Sequence, residues 1–162
     1  MNRFSTKIAA LALALLPSAA LAQGCVEDAG DRVTVSEAGR QFTVPVLANY
    51  VANIAERDLY NSRGVRLGSF AAVLQQDRAN VHKSGMGDGN GALSDQADSY
   101  FVNLARRSEL TSATYYTDCY MSAAQTRALQ DGIVNGRVGG VVWVLPFRHP
   151  NGSLGVYISG VN

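Results

Sequence analysis

The chain has 162 residues, a length typical of one domain, and 47% of them are hydrophobic, so it can bury a core of its own. Its 14 basic and 13 acidic residues give a formal net charge of +1. That balance excludes the basic surplus on which binding to nucleic acid or to anionic lipid depends. We therefore expect no nucleic-acid partner.

The first 22 residues have the three parts of a secretory signal peptide. Arg3 and Lys7 supply a basic start, a short apolar stretch follows, and Ala20–Ala22 is a small-residue cleavage site. The apolar stretch is shorter than the ~18 residues of a membrane-spanning helix, and no later stretch is long enough either. The sequence therefore predicts a cleaved leader over residues 1–22, a single periplasmic or secreted domain over residues 23–162, and no transmembrane segment.

Two cysteines, Cys25 and Cys119, occur in the predicted mature chain. An even number of cysteines in an oxidising compartment predicts a disulfide. Because this bridge closes a long loop, the chain-entropy model gives it about 4–5 kcal/mol of stabilisation. Cys25 has a minor alternative, since "LAQGC" resembles the lipobox around the acylated cysteine of bacterial lipoproteins. Leu21 lies four residues before the cysteine, however, and not the usual three, so cleavage after Ala22 is favoured.

The first predicted elements are a hairpin and a helix. Residues 32–44 alternate apolar and polar side chains on both sides of a glycine-containing turn, which indicates a β-hairpin. Residues 46–58 repeat apolar side chains at helical spacing and predict an amphipathic helix. Its apolar positions are Leu47, Tyr50, Val51 and Ile54.

Two more helices are predicted on either side of a glycine-rich stretch. Ser69 is placed to cap a helix that ends near Gly85, and Ser94 to cap the next one. Asp95 and Asp98 would then lie in the first turn of the third helix, where carboxylates favour the helix dipole.

The last third of the chain combines three strands with a fourth helix. Residues 112–121 are rich in β-forming side chains, and Ser122 with Gln125 forms a capping box for the helix. Residues 141–147 are continuously apolar, as in a strand buried on both faces, and residues 154–161 return after a turn. The predicted fold is α+β, an antiparallel or mixed sheet of about five strands with about four helices on one face, in the order ββααα-βαββ.

The glycine-rich stretch contains "DGNGAL", which resembles the centre of an EF-hand calcium loop. With Gly91 at the sixth position of such a loop, Asp88 and Asn90 occupy ligand positions three and five. Met86 and Ala97 fall at the first and twelfth positions, where carboxylates are needed. A flexible connection between two helices is therefore the favoured interpretation, with Asp88 and Asn90 as weak calcium candidates.

Asp77, Arg78 and His82 are the weak catalytic candidates. On a helix Asp77 lies at the edge of the apolar stripe, while Arg78 and His82 are one turn apart. An acid beside a cation and an imidazole is a pattern typical of acid–base sites. The alternative is an ion pair that holds the helix against the sheet. The other histidine, His149, is expected to be exposed in the terminal turn beside Pro150.

Tyr116 and Tyr120 are the weak binding candidates, because they would share one face of the strand that carries Cys119. An exposed tyrosine face suits a partner protein or a glycan, whereas packing under a helix is the alternative.

The functional hypothesis is a small exported binding or inhibitor-like protein without catalysis, with another envelope or secreted protein as its partner and no cofactor. The chain has no Gly-x-Ser-x-Gly nucleophile elbow, and its two histidines lack the spacing of zinc ligands. The alternatives are a hydrolase or transferase that uses Asp77, Arg78 and His82, and a structural component of the envelope.

Overall fold

The structure is a computed structural model that describes residues 24–85, 87–138 and 140–160. The leader predicted over residues 1–22 lies outside these ranges. The described chain has an α+β fold with seven strands, three α-helices and several short helical turns. Within the same ranges, none of the helices has the length and apolar character needed to cross a membrane.

The strands are β1 (Cys25–Ala29), β2 (Arg32–Glu37), β3 (Arg40–Pro45), β4 (Tyr50–Ile54), β5 (Thr114–Tyr116), β6 (Gly140–Arg148) and β7 (Leu154–Gly160). The α-helices are α1 (Phe70–Ala79), α2 (Leu104–Ser108) and α3 (Ala123–Val134). A π-helical turn, Asn80–Ser84, extends α1, and short 3-10 turns cover Glu56–Leu59, Gly91–Leu93 and Glu109–Ser112.

The strands form two sheets, and both edge strands of the first sheet are bridged to the second. One sheet is the antiparallel meander β1–β2–β3, and the other has the order β4–β6–β7–β5, with β5 parallel to β7. Val46, just after β3, bridges Phe147 of β6, and Val26 of β1 bridges Asp118, just after β5. Six strands therefore surround one interior as a small, irregular barrel, while β4 extends the second sheet beyond it.

Strands β6 and β7 contribute to two hydrophobic cores, one on each face of the sheet. One face carries Val142, Val144, Val156 and Ile158, which pack with residues of α1 and α3 such as Leu74 and Ile133. The opposite face points into the barrel and carries Leu145, Phe147 and Tyr157, together with Val26, Val33, Val35 and Tyr116 from the other strands. The prediction that residues 141–147 form a strand buried on both faces is confirmed.

The helix predicted over residues 46–58 is wrong. Tyr50, Ala52 and Ile54 are buried on alternate positions of strand β4, which pairs with Gly140–Val144 of β6. Apolar residues at 47, 50, 51 and 54 are compatible with a helix and with a strand. Hydrogen-bonded pairing with β6 selects the strand.

The helix predicted to begin at Ser94 is also wrong, since the chain stays irregular until α2 begins at Leu104. Asp98 Oδ1 accepts hydrogen bonds from the backbone N–H groups of Tyr100 and Phe101. Aspartate side chains that bind nearby backbone donors compete in this way with the helical ladder. The fold therefore has one α-helix fewer and two strands more than the approximate prediction, and the order ββααα-βαββ is corrected accordingly.

Several local predictions are confirmed. The hairpin is β2–β3, Ser69 Oγ accepts from Ala72 N at 3.2 Å, and Ser122 with Gln125 forms the capping box of α3. The disulfide Cys25–Cys119 is present, with its Cα atoms 4.8 Å apart. It lies where β1 pairs with the residues after β5, so it fastens the two sheets together, and a sulfur in this bond is not open to acylation.

Candidate ligand-binding site

The catalytic candidates Asp77 and Arg78 belong to α1 and are buried. They form a network of charged side chains with Asp95 and Asp98. Arg78 Nε donates to Asp77 Oδ2 at 2.7 Å, and Nη2 donates to Asp95 Oδ1 at 3.1 Å. Nη1 donates to the carbonyl oxygen of Gln96 at 2.7 Å and lies 3.5 Å from Asp98 Oδ2. The Arg78 side chain is 0% exposed, so a substrate cannot reach it without rearrangement.

The face of the same guanidinium lies over the ring of Tyr50, 4.3 Å from its centroid, in a cation–π contact. His82 Nε2 lies 2.7 Å from Asp98 Oδ2, and the His82 side chain is 9% exposed. Arg78 is thus contacted on its edges by carboxylates and on its face by an aromatic ring. This geometry supports the ion-pair interpretation of the network, and a catalytic role for Asp77, Arg78 and His82 stays a prediction.

The network positions the glycine-rich stretch along the open edge of β4. Asn53 N donates to Asp95 Oδ1 at 2.7 Å, and Gln96 N donates to the carbonyl oxygen of Val51 at 3.0 Å. Val51 N in turn donates to the side-chain oxygen of Gln96 at 3.1 Å. The stretch that the sequence presents as a flexible connection therefore covers a strand edge whose backbone groups would otherwise lack protein partners.

Asp77 is the least satisfied carboxylate of the network. Burial raises the pKa of Asp77 to about 8, although Arg78 lowers it, and Oδ1 has no hydrogen-bond partner among the described residues. A carboxyl whose pKa is higher in the folded than in the unfolded chain stabilises the fold most at low pH. That contribution is lost as the pH rises from the unfolded value near 4 towards 8.

We therefore expect Asp77→Asn to gain stability relative to the wild type as the pH rises. The amide keeps an oxygen acceptor for Arg78 Nε, and it has no charge to bury at any pH. Urea unfolding of both proteins at several pH values between 4 and 8 measures the difference. A difference that does not change with pH would show that Asp77 is ionised throughout this range in the folded protein.

The calcium candidates Asp88 and Asn90 are placed differently from each other. Asp88 accepts from Arg57, whose Nε lies 2.7 Å from Asp88 Oδ2, whereas Asn90 is exposed. A cation at Asp88 would have to displace the Arg57 guanidinium. Among the residues that the structure describes, no group of three metal-ligating side chains was found. A calcium role for the pair stays a prediction.

A cleft of about 610 Å³ opens at one end of the barrel, between the β2–β3 hairpin and the turn that follows β6. We call it the barrel mouth; its lining is Glu37, Ala38, Arg40, Gln41, Phe42, His149, Pro150 and Asn151. Mouths of small barrels and clefts of this size are common ligand sites. The prediction that His149 is exposed is wrong, because the residue is 8% exposed and forms part of the cleft wall.

The proton positions at the barrel mouth follow from its hydrogen bonds. Tyr116 Oη donates to Glu37 Oε1 at 3.1 Å, because a carboxylate can only accept. The same hydroxyl lies 3.1 Å from His149 Nε2 and has no second hydrogen to give, so Nε2–H is the donor there. In the neutral imidazole Nδ1 then carries the lone pair, and it lies 3.9 Å from Glu37 Oε2.

Apolar surroundings favour the neutral form of this imidazole. Burial lowers the pKa of His149, although Glu37 raises it in part. The imidazole ring packs 5.3 Å from the ring of Phe42 and 5.2 Å from that of Phe147. Gly155 of β7 makes room for it, since a Cβ atom there would lie 2.8 Å from His149 Nε2 and 2.3 Å from the Phe147 ring.

The hairpin turn at the mouth is strained. Ala38 has φ 49°, and Gly39 follows with φ 74°, so both central residues are in the left-handed region that a two-residue type I′ turn requires. Alanine in this region costs about 1–2 kcal/mol, whereas glycine is free of the penalty. Strain of this kind is concentrated at ligand sites, and here it lies in the wall of the cleft.

The two tyrosine candidates do not share a surface. Tyr116 is fully buried beneath the barrel mouth, whereas Tyr120 is 83% exposed on the far side of Cys119. Strand β5 ends at Tyr116, so the alternation assumed for residues 112–121 does not continue to Tyr120. A binding role for this pair stays a prediction, and Tyr116 would act only through the side chains that it supports.

Sequence reasoning missed Glu37 and His149 as site residues. They are 112 positions apart by number and are brought together by the bridge of Val46 to Phe147, which joins β3 to β6. The available signal was weak: Gly155 opposite Phe147 and His149 is a glycine inside a strand, which often marks a close approach.

Comparison of this chain with protein-family models, with curated proteins and with solved structures found no match. The class to which its own geometry points is a disulfide-bonded α+β protein with a cleft of polar and apolar side chains at the mouth of a small barrel.

Proposed function

We propose that this is an exported, non-catalytic binding protein whose barrel mouth takes a ligand with a primary ammonium group beside an apolar body. The observation that carries the proposal is the pair of open acceptors, His149 Nδ1 and Glu37 Oε2, 3.9 Å apart. Two acceptors this close repel each other until a donor lies between them.

An ammonium fits between these two atoms. One nitrogen at about 2.9 Å from each acceptor donates two of its three hydrogens, which is ordinary hydrogen-bond geometry. Phe42 supplies an apolar wall next to the imidazole. Arg40 lines the same cleft but makes no hydrogen bond to Glu37 or His149 within the described residues, so the acceptors stay open to a ligand.

Export is supported by the disulfide, because such bonds persist in oxidising compartments. The lining of the cleft includes no serine or cysteine, so the proposal includes no covalent catalysis by such a nucleophile. A hydrolase or transferase at Asp77, Arg78 and His82 is the weaker proposal, because all three side chains are at least nine-tenths buried.

The ammonium can belong to a free amine or to a lysine side chain on another exported protein. Both sources present the same group to the cleft, and a partner protein would add contacts along the rim, where Arg40 and Asn151 are exposed. Titration with benzylammonium and with Nα-acetyl-lysine amide tests the two sources separately.

We expect benzylammonium to bind at pH 7.5 and Glu37→Gln to weaken that binding about tenfold or more. The amide still accepts from Tyr116 but no longer offers a charge, and hydrogen bonds to charged groups contribute about 1.5–3 kcal/mol. Isothermal titration calorimetry measures the dissociation constants.

Glu56→Gln is the matched control, because Glu56 is exposed on a 3-10 turn outside the cleft. Benzyl alcohol, which has the same ring without the charge, should bind at least about tenfold more weakly than benzylammonium. Equal affinities for the two compounds, or full affinity in Glu37→Gln, would refute the ammonium site.

A further inference from the structure

A second cleft, of about 500 Å³, lies between α1 and α2. One wall is a single face of α1 and its π-helical extension, formed by Ala72, Gln75, Gln76, Ala79 and Lys83. Leu104 and Arg107 of α2 form the other wall. This helix cleft is separate from the barrel mouth and has no lining residue in common with it.

Arg107 is a buried cation without a counter-ion. The residue is 8% exposed, and its Nη1 donates to the carbonyl oxygen of Phe101 at 2.9 Å. Across the described residues, no carboxylate lies within 4.0 Å of its guanidinium, and the remaining N–H groups make no hydrogen bond. Arg78, in contrast, is fully buried and contacts three carboxylates.

Burying most of a charged side chain costs free energy unless an opposite charge or several hydrogen bonds compensate it, and the guanidinium nitrogens of Arg107 that lack a protein partner keep some access to solvent. Arg107 lines the helix cleft, so an anion that enters the cleft would provide both. Lys83 lines the same cleft and is exposed, which places a second cation within the lining.

The rest of the helix cleft exposes mainly apolar surface, although the amide side chains of Asn61, Gln75 and Gln76 also line it. Leu67, Ala72 and Ala79 line it, and Leu104 stands at its edge with 73% of its surface exposed. An exposed leucine beside a concave apolar wall is a surface that an aliphatic chain would cover.

We infer that the helix cleft binds an amphipathic carboxylate, with its head group at Arg107 and Lys83 and its aliphatic chain along α1 and Leu104. Guanidinium and carboxylate match in a planar, two-pronged geometry, and the cleft volume lies in the range of small-molecule sites. Octanoate has this chemistry. The inference does not depend on the ammonium site of the barrel mouth.

Titration calorimetry of the disulfide-bonded protein with octanoate tests it, with octanol and acetate as probes that each lack one half of the ligand. We expect octanoate to bind, and octanol and acetate each to bind about tenfold or more weakly. Equal affinity for octanol would overturn the inference, because the cations would then have no part, and so would a lack of octanoate binding at millimolar concentration.

Substitutions at the two cations test where the carboxylate head group binds. Lys83→Met should weaken octanoate binding several-fold, Arg107→Gln about tenfold or more, and Arg127→Met on α3 not at all. Circular dichroism checks that each variant is folded. Lys83 is exposed, so its variant decides the matter even if Arg107→Gln does not fold; unchanged affinity in Lys83→Met would overturn the inference.

Discussion

Replacing Arg78 with methionine should lower the free energy of unfolding by about 3–5 kcal/mol at pH 7. The substitution removes the one cation that contacts Asp77, Asp95 and Asp98, all of which have side chains 1% exposed or less. Methionine restores much of the lost volume, so the expected loss comes from the buried carboxyl groups left without the guanidinium and not from a cavity. Urea-induced unfolding measures it.

Arg127→Met is the matched control, because Arg127 is an exposed residue of α3 and its loss should change stability by about 0.5 kcal/mol or less. Hydrogen exchange adds a local measurement. The Gln96 N–H, which donates to the carbonyl oxygen of Val51, should lose protection from exchange in Arg78→Met, because the glycine-rich stretch then leaves the edge of β4. A loss of stability below about 1 kcal/mol would mean that the network does not hold this stretch in place.

Loss of the disulfide should destabilise the fold by a comparable amount. Cys25 and Cys119 are 94 residues apart, and replacing both with serine removes a constraint on about two thirds of the predicted mature chain in its unfolded state. Native disulfides that close long loops typically contribute about 2–5 kcal/mol. Thermal or urea unfolding of the double variant Cys25→Ser/Cys119→Ser gives the value.

Reduction supplies the control for this prediction. Dithiothreitol should lower the stability of the wild type to that of the double variant and leave the double variant unchanged. A wild type that is equally stable with and without reductant would contradict a stabilising bridge.

The sequence predicted the elements whose patterns are local. The hairpin at residues 32–44, the Ser122–Gln125 capping box and the apolar strand at residues 141–147 carry signals that neighbours along the chain determine, and they are confirmed. The segment 46–58 failed because its burial pattern is set by pairing with β6, some ninety positions away, and the helical and strand periods both fit so short a stretch.

The stretch after Ser94 failed for a different reason. Capping and dipole arguments assign Asp95 and Asp98 to a helix start, whereas in the structure their carboxylates bind Arg78 and backbone donors of a non-helical chain. Which use prevails depends on the buried guanidinium of Arg78. A sequence pattern does not indicate that this side chain points inwards.

The barrel mouth could not be predicted from sequence patterns. Glu37, Tyr116 and His149 come from three strand ends that meet only when the two sheets join through the Val46 and Val26 bridges. Neither tyrosine nor glutamate has a distinctive sequence context there. The pairing of Cys25 with Cys119 was predictable, because two cysteines allow a single intramolecular bridge.

The most direct test of the proposed function is a nitrogen-15 NMR spectrum of the histidine side chains at pH 7.5, recorded with and without benzylammonium. Our account predicts that His149 is neutral with its proton on Nε2, and that the Nδ1 signal shifts as benzylammonium is added but not as benzyl alcohol is added. A His149 with its proton on Nδ1 in the free protein, or an Nδ1 signal that does not respond to benzylammonium, would contradict it.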